Sequence, residues 1–246
     1  MSRQMMKVLD LFSGIGGFSL GLERAGMQTI AFCEVDPKCR EVLRKHWPAT
    51  PIYEDIRSLH AKEIGETVDV ICGGFPCQDI SVAGKGAGLS GERSGLWWEF
   101  HRLIKEAKPK WVIIENVSAL RSRGLDQVLR SLSQIGYDSE WHCIPASAVG
   151  APHQRDRVWI IAYPIGSRME GLDFPKPLCA YSEESRRWQL AGAVDAALPA
   201  DDYARMRGTF NGVSEVMDRL KQLGNAVVPQ IPELIGRSIL KHDTNP

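Results

Sequence analysis

The sequence has no apolar run approaching the roughly 20 residues that a membrane-spanning helix needs. Its N-terminus, MSRQMMKVLDLF, has no long apolar stretch followed by a small-residue cleavage site, so no secretory signal is expected. The six cysteines are Cys33, Cys39, Cys72, Cys77, Cys143 and Cys179, and none forms a CxxC pair. Cysteine and histidine show no zinc-like spacing, so no metal is expected. A reducing compartment suits this cysteine usage and argues against disulfides. Charge of one sign is lacking too: 30 basic and 30 acidic residues leave a net charge of zero. Nucleic-acid binders often carry a basic excess. The overall balance gives no support to such a partner, although it leaves room for a local basic face.

What is there is ordinary globular material. A chain of 246 residues, 43% hydrophobic and 24% charged, can build one sizeable core and a small second module. KVLDLF (7–12), TIAFCEVD (29–36), VDVICGG (68–74), WVIIENV (111–117) and RVWIIAY (157–163) are apolar runs of strand length. Helical patterns separate them. FSLGLERAG reads as a helix ending at Gly26. Asp36-Pro37 reads as an N-cap followed by proline at the first helical position. Leu96, Phe100, Leu103 and Ala107 have helical spacing up to a stop at Pro109. Leu125, Val128, Leu129 and Leu132 mark a helix stopping near Gly136, and Pro232 opens a last one.

Alternating strands and helices predict an α/β fold, a mostly parallel doubly wound sheet with helices on both faces. Such sheets bind ligands beyond the C-terminal ends of their strands. The unusual polar clusters sit at those ends: Asp10 to Gly17, Glu34 to Asp36, Pro76-Cys77-Gln78 and Glu115-Asn116. Residues 164–220 differ. Hydrophobic periodicity fades there, and seven basic against nine acidic residues read as surface. We expect a domain of residues 1–163 plus 221–246, with 164–220 as a small irregular segment.

In DLFSGIGG, glycines lie between a strand and a helix, where backbone can approach a ligand closely. A carboxylate ending the second strand, Glu34 or Asp36, suits ribose hydroxyls. Together they suggest a nucleoside-containing ligand, while the loop alone serves equally as a packing turn. It is neither GxGxxG nor a P-loop, so pyrophosphate is not favoured. Asp55, after a short strand at Ile52-Tyr53, could accept from an adenine amino group or be a solvated surface carboxylate.

GGFPCQDIS (73–81) sets a thiol just past a strand. Core filler, metal ligand, half-cystine and nucleophile are the four options for Cys77. Filler suits Cys72, inside an apolar strand, and Cys33. Cys77 lies outside its strand at the ligand edge, with Lys85 and Arg93 in the following loop, where a reactive thiolate is at home.

Five motifs now stand in order: DLFSGIGGF, GFPCQ, ENV at 115–117, RDR at 155–157 and QLGNAVVP at 222–229. In this the chain resembles the S-adenosylmethionine-dependent DNA (cytosine-5)-methyltransferases, and the resemblance covers about residues 7–163 and 221–241. It implies a Rossmann-like class I methyltransferase fold, S-adenosylmethionine as cofactor and S-adenosylhomocysteine as product. It also implies duplex DNA as partner, base flipping and the cytoplasm of a bacterial or phage-infected cell. A monomer is expected.

The resemblance further implies that Cys77, between Pro76 and Gln78, attacks carbon 6 of cytosine. Glu115 serves N3, Asn116 orients the loop, Arg157 contacts O2 and Arg155 supports the same face. For the cofactor it implies Asp10, Phe12, Gly14, Gly16, Gly17, Glu34, Val35, Asp55, Ile56, Pro76, Leu96, Asn225 and Ala226. For DNA it implies Ser81, Lys85 and Arg93 in a closing loop, with Arg121 and Arg123 after ENV.

The chain departs from the family at His153, where glutamine is usual, and in its short 164–220 segment. No clear ninth motif is present, and GTFNGVSEVMDRLKQLGNAVVPQ (208–230) resembles the compact phage and prophage branch, where a degenerate GVP-like element precedes the final motif. Two rivals remain at this point. One is the related branch that methylates cytosine in transfer RNA. The other is a non-catalytic DNA-binding relative, which would have lost Cys77, Glu115 or the arginine pair.

Overall fold

The computed structural model describes residues 5–76, 95–150, 155–167 and 226–243. Its centre is a seven-stranded sheet. In chain order the strands are β1 (Lys7–Leu11), β2 (Gln28–Cys33), β3 (Ile52–Tyr53), β4 (Val70–Gly73), β5 (Trp111–Val117), β6 (Tyr137–Pro145) and β7 (Asp156–Pro164). The helices are α1 (Gly17–Ala25), α2 (Pro37–His46), α3 (Leu96–Ala107), α4 (Leu120–Arg123), α5 (Leu125–Gln134) and α6 (Gln230–His242).

The strand order is β3-β2-β1-β4-β5-β7-β6. The first five of these run parallel, and β7 is antiparallel to both of its neighbours. The chain builds outward from β1 to β3, then returns to the other side of β1 with β4. That reversal makes a crevice at the C-terminal edge of β1 and β4, where doubly wound sheets take ligands. This is the mostly parallel α/β architecture expected from the sequence.

Strand pleating distributes the core. Along β1, Leu9 and Leu11 join Phe100, Leu103 and Val128 of α3 and α5 on one face. Val8 joins Phe18, Leu22, Ile235 and Ile239 of α1 and α6 on the other. Period-two alternation thus feeds two apolar layers. Burial of large side chains such as Trp97, Trp111 and Trp159 supplies the main driving force for this packing.

Several boundaries move from their expected places. β2 stops at Cys33 because the Glu34 carboxylate folds back onto the amides of Gly14 and Asp36. α6 begins at Gln230, so Pro232 is its third residue rather than its first. The opening turn has no intrahelical acceptors for its amides, so proline is accommodated there. Asp36 caps α2 through Lys38 N with Pro37 at the first position, as expected. The long strand β6 was not expected. It pairs with β7 from Tyr137 opposite Pro164 to Pro145 opposite Asp156. As an edge strand it carries polar residues on its open side, which blurs the apolar signal.

Candidate active site

The parallel strands deliver their ends to one edge. A cleft of about 330 Å³ opens there, lined by Phe12, Cys33, Glu34, Val35, Glu54, Asp55, Ile56, Arg57, Pro76 and Leu96. These residues end or follow β1, β2, β3 and β4 or open α3, so four strand ends and one helix start build the walls. Glu54 and Arg57 are not singled out in the sequence, and Cys33 reads there as core filler.

The glycine loop closes one end of the cleft. Glu34 is buried and accepts from Gly14 N at 2.7 Å and from Asp36 N at 2.8 Å. Burial raises its pKa, while those amide hydrogen bonds pull it back. Phe12 holds a positive φ of 53° beside the cleft, a rare backbone state for a bulky residue. Such strain gathers at ligand sites.

No side chain is tolerated at two of the glycines. A Cβ on Gly16 would lie 2.6 Å from the Trp47 ring, and one on Gly17 would lie 2.5 Å from Val227 O. The second contact brings the segment after Ala226 against the first loop. The structure therefore joins the chain's two ends at this site, although Asn225 itself lies outside the described residues.

Asp10 has a different setting from the cleft residues. Its side chain is fully buried, and Oδ2 accepts from Ser19 Oγ at 2.7 Å and Ser19 N at 3.3 Å. Gly16, the residue before α1, offers no side-chain cap. Asp10 thus caps the helix from the neighbouring strand and touches the cleft only through the loop it steadies. Burial lifts its pKa to about 7. Asp55 also acts locally, accepting from Arg57 N at 2.9 Å, yet it faces the cleft.

A second cluster lies against Gly74, two residues before Pro76. Arg157 Nε meets Glu115 Oε1 at 2.8 Å, with the two side chains 21% and 12% exposed. The antiparallel register sets Val117 opposite Arg157 and Glu115 opposite Trp159, so both side chains share one face. Burial raises the pKa of Glu115, and the charges of Arg157 and Arg155 pull it down. A Cβ on Gly74 would sit 2.8 Å from Glu115 Oε2, so the backbone leading to the thiol passes directly over this carboxyl. Asn116 is buried, and its Nδ2 donates to Phe75 O at 3.1 Å. Its Oδ1 accepts from Val117 N at 2.9 Å. The end of β5 therefore grips the chain two residues before Cys77.

Cys77, Gln78, Ser81, Lys85 and Arg93 lie outside the described residues. Two other thiols can be set aside as nucleophiles. Cys33 and Cys72 are buried, which pushes Cys33 up to about 12 and Cys72 well above its ordinary value. Arg121 and Arg123 sit on α4 just past β5, at the same sheet edge. No group of three or more metal-ligating side chains occurs among the described residues, and none of their helices is long and apolar enough to cross a membrane.

Known proteins share this design. A family model described as C-5 cytosine-specific DNA methylase matches residues 6–193. Type II methyltransferase M2.BsuMI of Bacillus subtilis is 39% identical over 165 residues, which cover 64% of this chain and 42% of that protein. Type II methyltransferase M.AquIA of Picosynechococcus is 34% identical over 206 residues, covering 76% of this chain and 82% of the relative. A solved DNA modification methyltransferase encoded within an E. coli prophage superposes with a TM-score of 0.55 at 30% identity, over 65% of this chain and 47% of its own. The chain thus spans under half the length of two of these three relatives. With the sheet order and the clustered strand ends already in place, these matches put the chain in the C-5 cytosine-specific DNA methylase family.

Proposed function

We propose that the chain transfers a methyl group from S-adenosylmethionine to carbon 5 of a cytosine in duplex DNA, within a short specific sequence. The observation that carries this reading is the Glu115–Arg157 pair, packed under the backbone that leads to Cys77 and beside a nucleoside-sized cleft. The shared residue is Pro76, which lines the cleft and immediately precedes Cys77. Type II methyltransferases among the relatives support the substrate class.

The cleft suits the cofactor. Phe12, Ile56 and Leu96 give apolar faces for a purine, and Glu34 and Asp55 give acceptors for hydroxyl and amino groups. The tight glycine loop admits close backbone approach. S-adenosylmethionine, when bound, supplies an electrophilic methyl on a sulfonium. Gly14, Gly16 and Gly17 would lie nearest its methionine part, together with Asn225 and Ala226.

Carbon 5 of cytosine is a weak nucleophile. Cys77, as thiolate, bonds to carbon 6 and pushes the ring electrons onto carbon 5. Glu115 in its acid form donates a proton to N3, and the raised pKa favours that form. Arg157, steadied with Arg155 at the same edge, donates to O2 and balances charge building on the ring. Once carbon 5 carries the methyl, its proton leaves to solvent, the carbon 5–carbon 6 double bond reforms, Cys77 departs as thiolate and N3 returns its proton to Glu115. A base held within a duplex cannot reach a thiol at a sheet edge, so the target is rotated out of the stack. Arg121 and Arg123, with Ser81, Lys85 and Arg93, are proposed to hold phosphates. Residues 164–220 are proposed to read the sequence, and the working unit to be a bacterial cytoplasmic monomer.

The test is a suicide substrate. Plasmid DNA substituted with 5-fluorodeoxycytidine cannot lose fluorine from carbon 5, so wild type plus methyl donor should remain bound to DNA through boiling in detergent. Cys77→Ala should give no such adduct. An adduct in the Cys77→Ala variant, or methylation confined to transfer RNA, would contradict the proposal.

A further inference from the structure

The cleft walls are not held by the sheet alone. β3 has two residues, at the sheet's edge, and the turn carrying Asp55, Ile56 and Arg57 follows it. The wall formed by Glu34 and Val35 likewise lies beyond the end of β2. Each wall is instead gripped by an arginine fork from a helix.

Arg102 of α3 is fully engaged. Its Nη2 donates to Ile56 O and Leu59 O, both at 2.9 Å. Its Nη1 donates to Glu106 Oε1 at 2.6 Å, and its Nε donates to Glu99 Oε2 at 2.8 Å. Glu106 extends the grip by accepting from Ala61 N at 3.0 Å. The same helix begins with Leu96, which also lines the cleft. One guanidinium therefore fixes the Ile56 wall relative to the Leu96 wall. Arg40 of α2 repeats the device. Its Nη1 donates to Glu34 O at 3.1 Å and Val35 O at 2.7 Å, and its Nη2 meets Glu54 Oε1 at 3.2 Å. It joins the walls after β2 and β3. Neither arginine lines the cleft.

We infer that Arg40 and Arg102 are positioning residues for the cofactor, presetting the width of the cleft without touching the ligand. The inference rests on the proposed S-adenosylmethionine site. A planar guanidinium suits the task, since one of its nitrogens donates to two carbonyls while another binds a carboxylate that fixes its orientation, which an ammonium cannot do at fixed geometry. Preorganised walls spare the ligand the cost of ordering them, so loss of the fork should appear in binding rather than in the chemical step.

The experiment measures S-adenosylhomocysteine binding by calorimetry, and methyl transfer to unmethylated plasmid DNA, for wild type, Arg102→Met, Arg102→Lys and Arg40→Met. Losing the two charge-assisted hydrogen bonds to the cleft-wall carbonyls predicts a Kd and a methyl-donor KM raised roughly tenfold or more in Arg102→Met. The expected kcat at saturating donor stays within about twofold, and affinity for DNA stays unchanged. Arg102→Lys should recover part of the loss, and Arg40→Met should behave as Arg102→Met does. Should Arg102→Met fail to fold, Arg102→Lys and Arg40→Met carry the same comparison. Unchanged donor KM in variants that fold, or kcat falling as far as KM rises, would overturn the inference alone. Wild-type protein that binds no S-adenosylhomocysteine would overturn the cofactor reading and the inference with it.

Discussion

At the scale of single residues, the environment of a carboxyl sets what it can do. Glu115 is buried beside one arginine and within reach of the charge of a second, and burial prevails. In its proposed role as an acid toward N3 it must carry its proton, so activity should decline as pH rises through its elevated pKa. Glu115→Gln keeps the shape and removes the proton. We expect its kcat to fall by about 100-fold or more, with S-adenosylhomocysteine affinity retained. A pH–rate profile and calorimetry on both proteins check this, and an unaltered kcat would remove Glu115 from the chemistry.

Asp10 makes a separate prediction about stability. Its folded pKa of about 7 stands above its ordinary value of 3.8. The folded state therefore holds a proton that the unfolded chain has released between these values. Stability from this group is full below about 3.8 and is lost as pH rises through about 7. Asp10→Asn keeps an acceptor for Ser19 and does not titrate. Its stability relative to wild type should improve as pH rises from 4 toward 7, measured by denaturant unfolding at each pH. A difference that is flat with pH would contradict the assignment.

At the scale of elements, the glycine loop shows what a motif does for packing. Gly17 opens α1, and its Cα hydrogens face the Val227 carbonyl from the segment ahead of α6. Backbone on one side and helix start on the other leave neither partner free to yield. Gly17→Ala should cost about 1–3 kcal/mol and weaken cofactor binding, because it pushes the C-terminal segment off the first loop. Thermal unfolding and calorimetry would measure both; an unperturbed variant would show that the two segments do not need this contact.

Elements also mark where sequence reading succeeds. β1, β5 and β7 were legible because strands buried on both faces read as continuous apolar runs. β6 was not, since YDSEWHCIP at an edge mixes Trp141 and Cys143 with charged and polar neighbours. Glu115 and Asn116 were legible as polar residues that end an apolar strand. Arg40 and Arg102 were not, for they sit on the polar faces of helices, and only the fold reveals that backbone carbonyls await them. Asp10 was placed with the cofactor ligands by resemblance, and only the fold reveals that its carboxylate accepts from Ser19 at the start of α1.

At the scale of the whole molecule, one sheet edge gathers the chemistry. Five parallel strand ends and the antiparallel start of β7 meet there, bringing together residues as distant in sequence as Phe12, Glu115, Arg157 and Val227. A chain with no net charge can still carry positive charge locally: Arg121 and Arg123 follow the end of β5, while Arg155 precedes β7 and Arg157 lies in its first residues. The central claim concerns the product. Plasmid DNA from cells expressing the wild-type chain should be digested to nucleosides and analysed by mass spectrometry, beside DNA from cells expressing Cys77→Ala. We expect 5-methyldeoxycytidine from wild type and none above background from the variant. Methylation at an exocyclic amine, or equal 5-methyldeoxycytidine from both proteins, would contradict it.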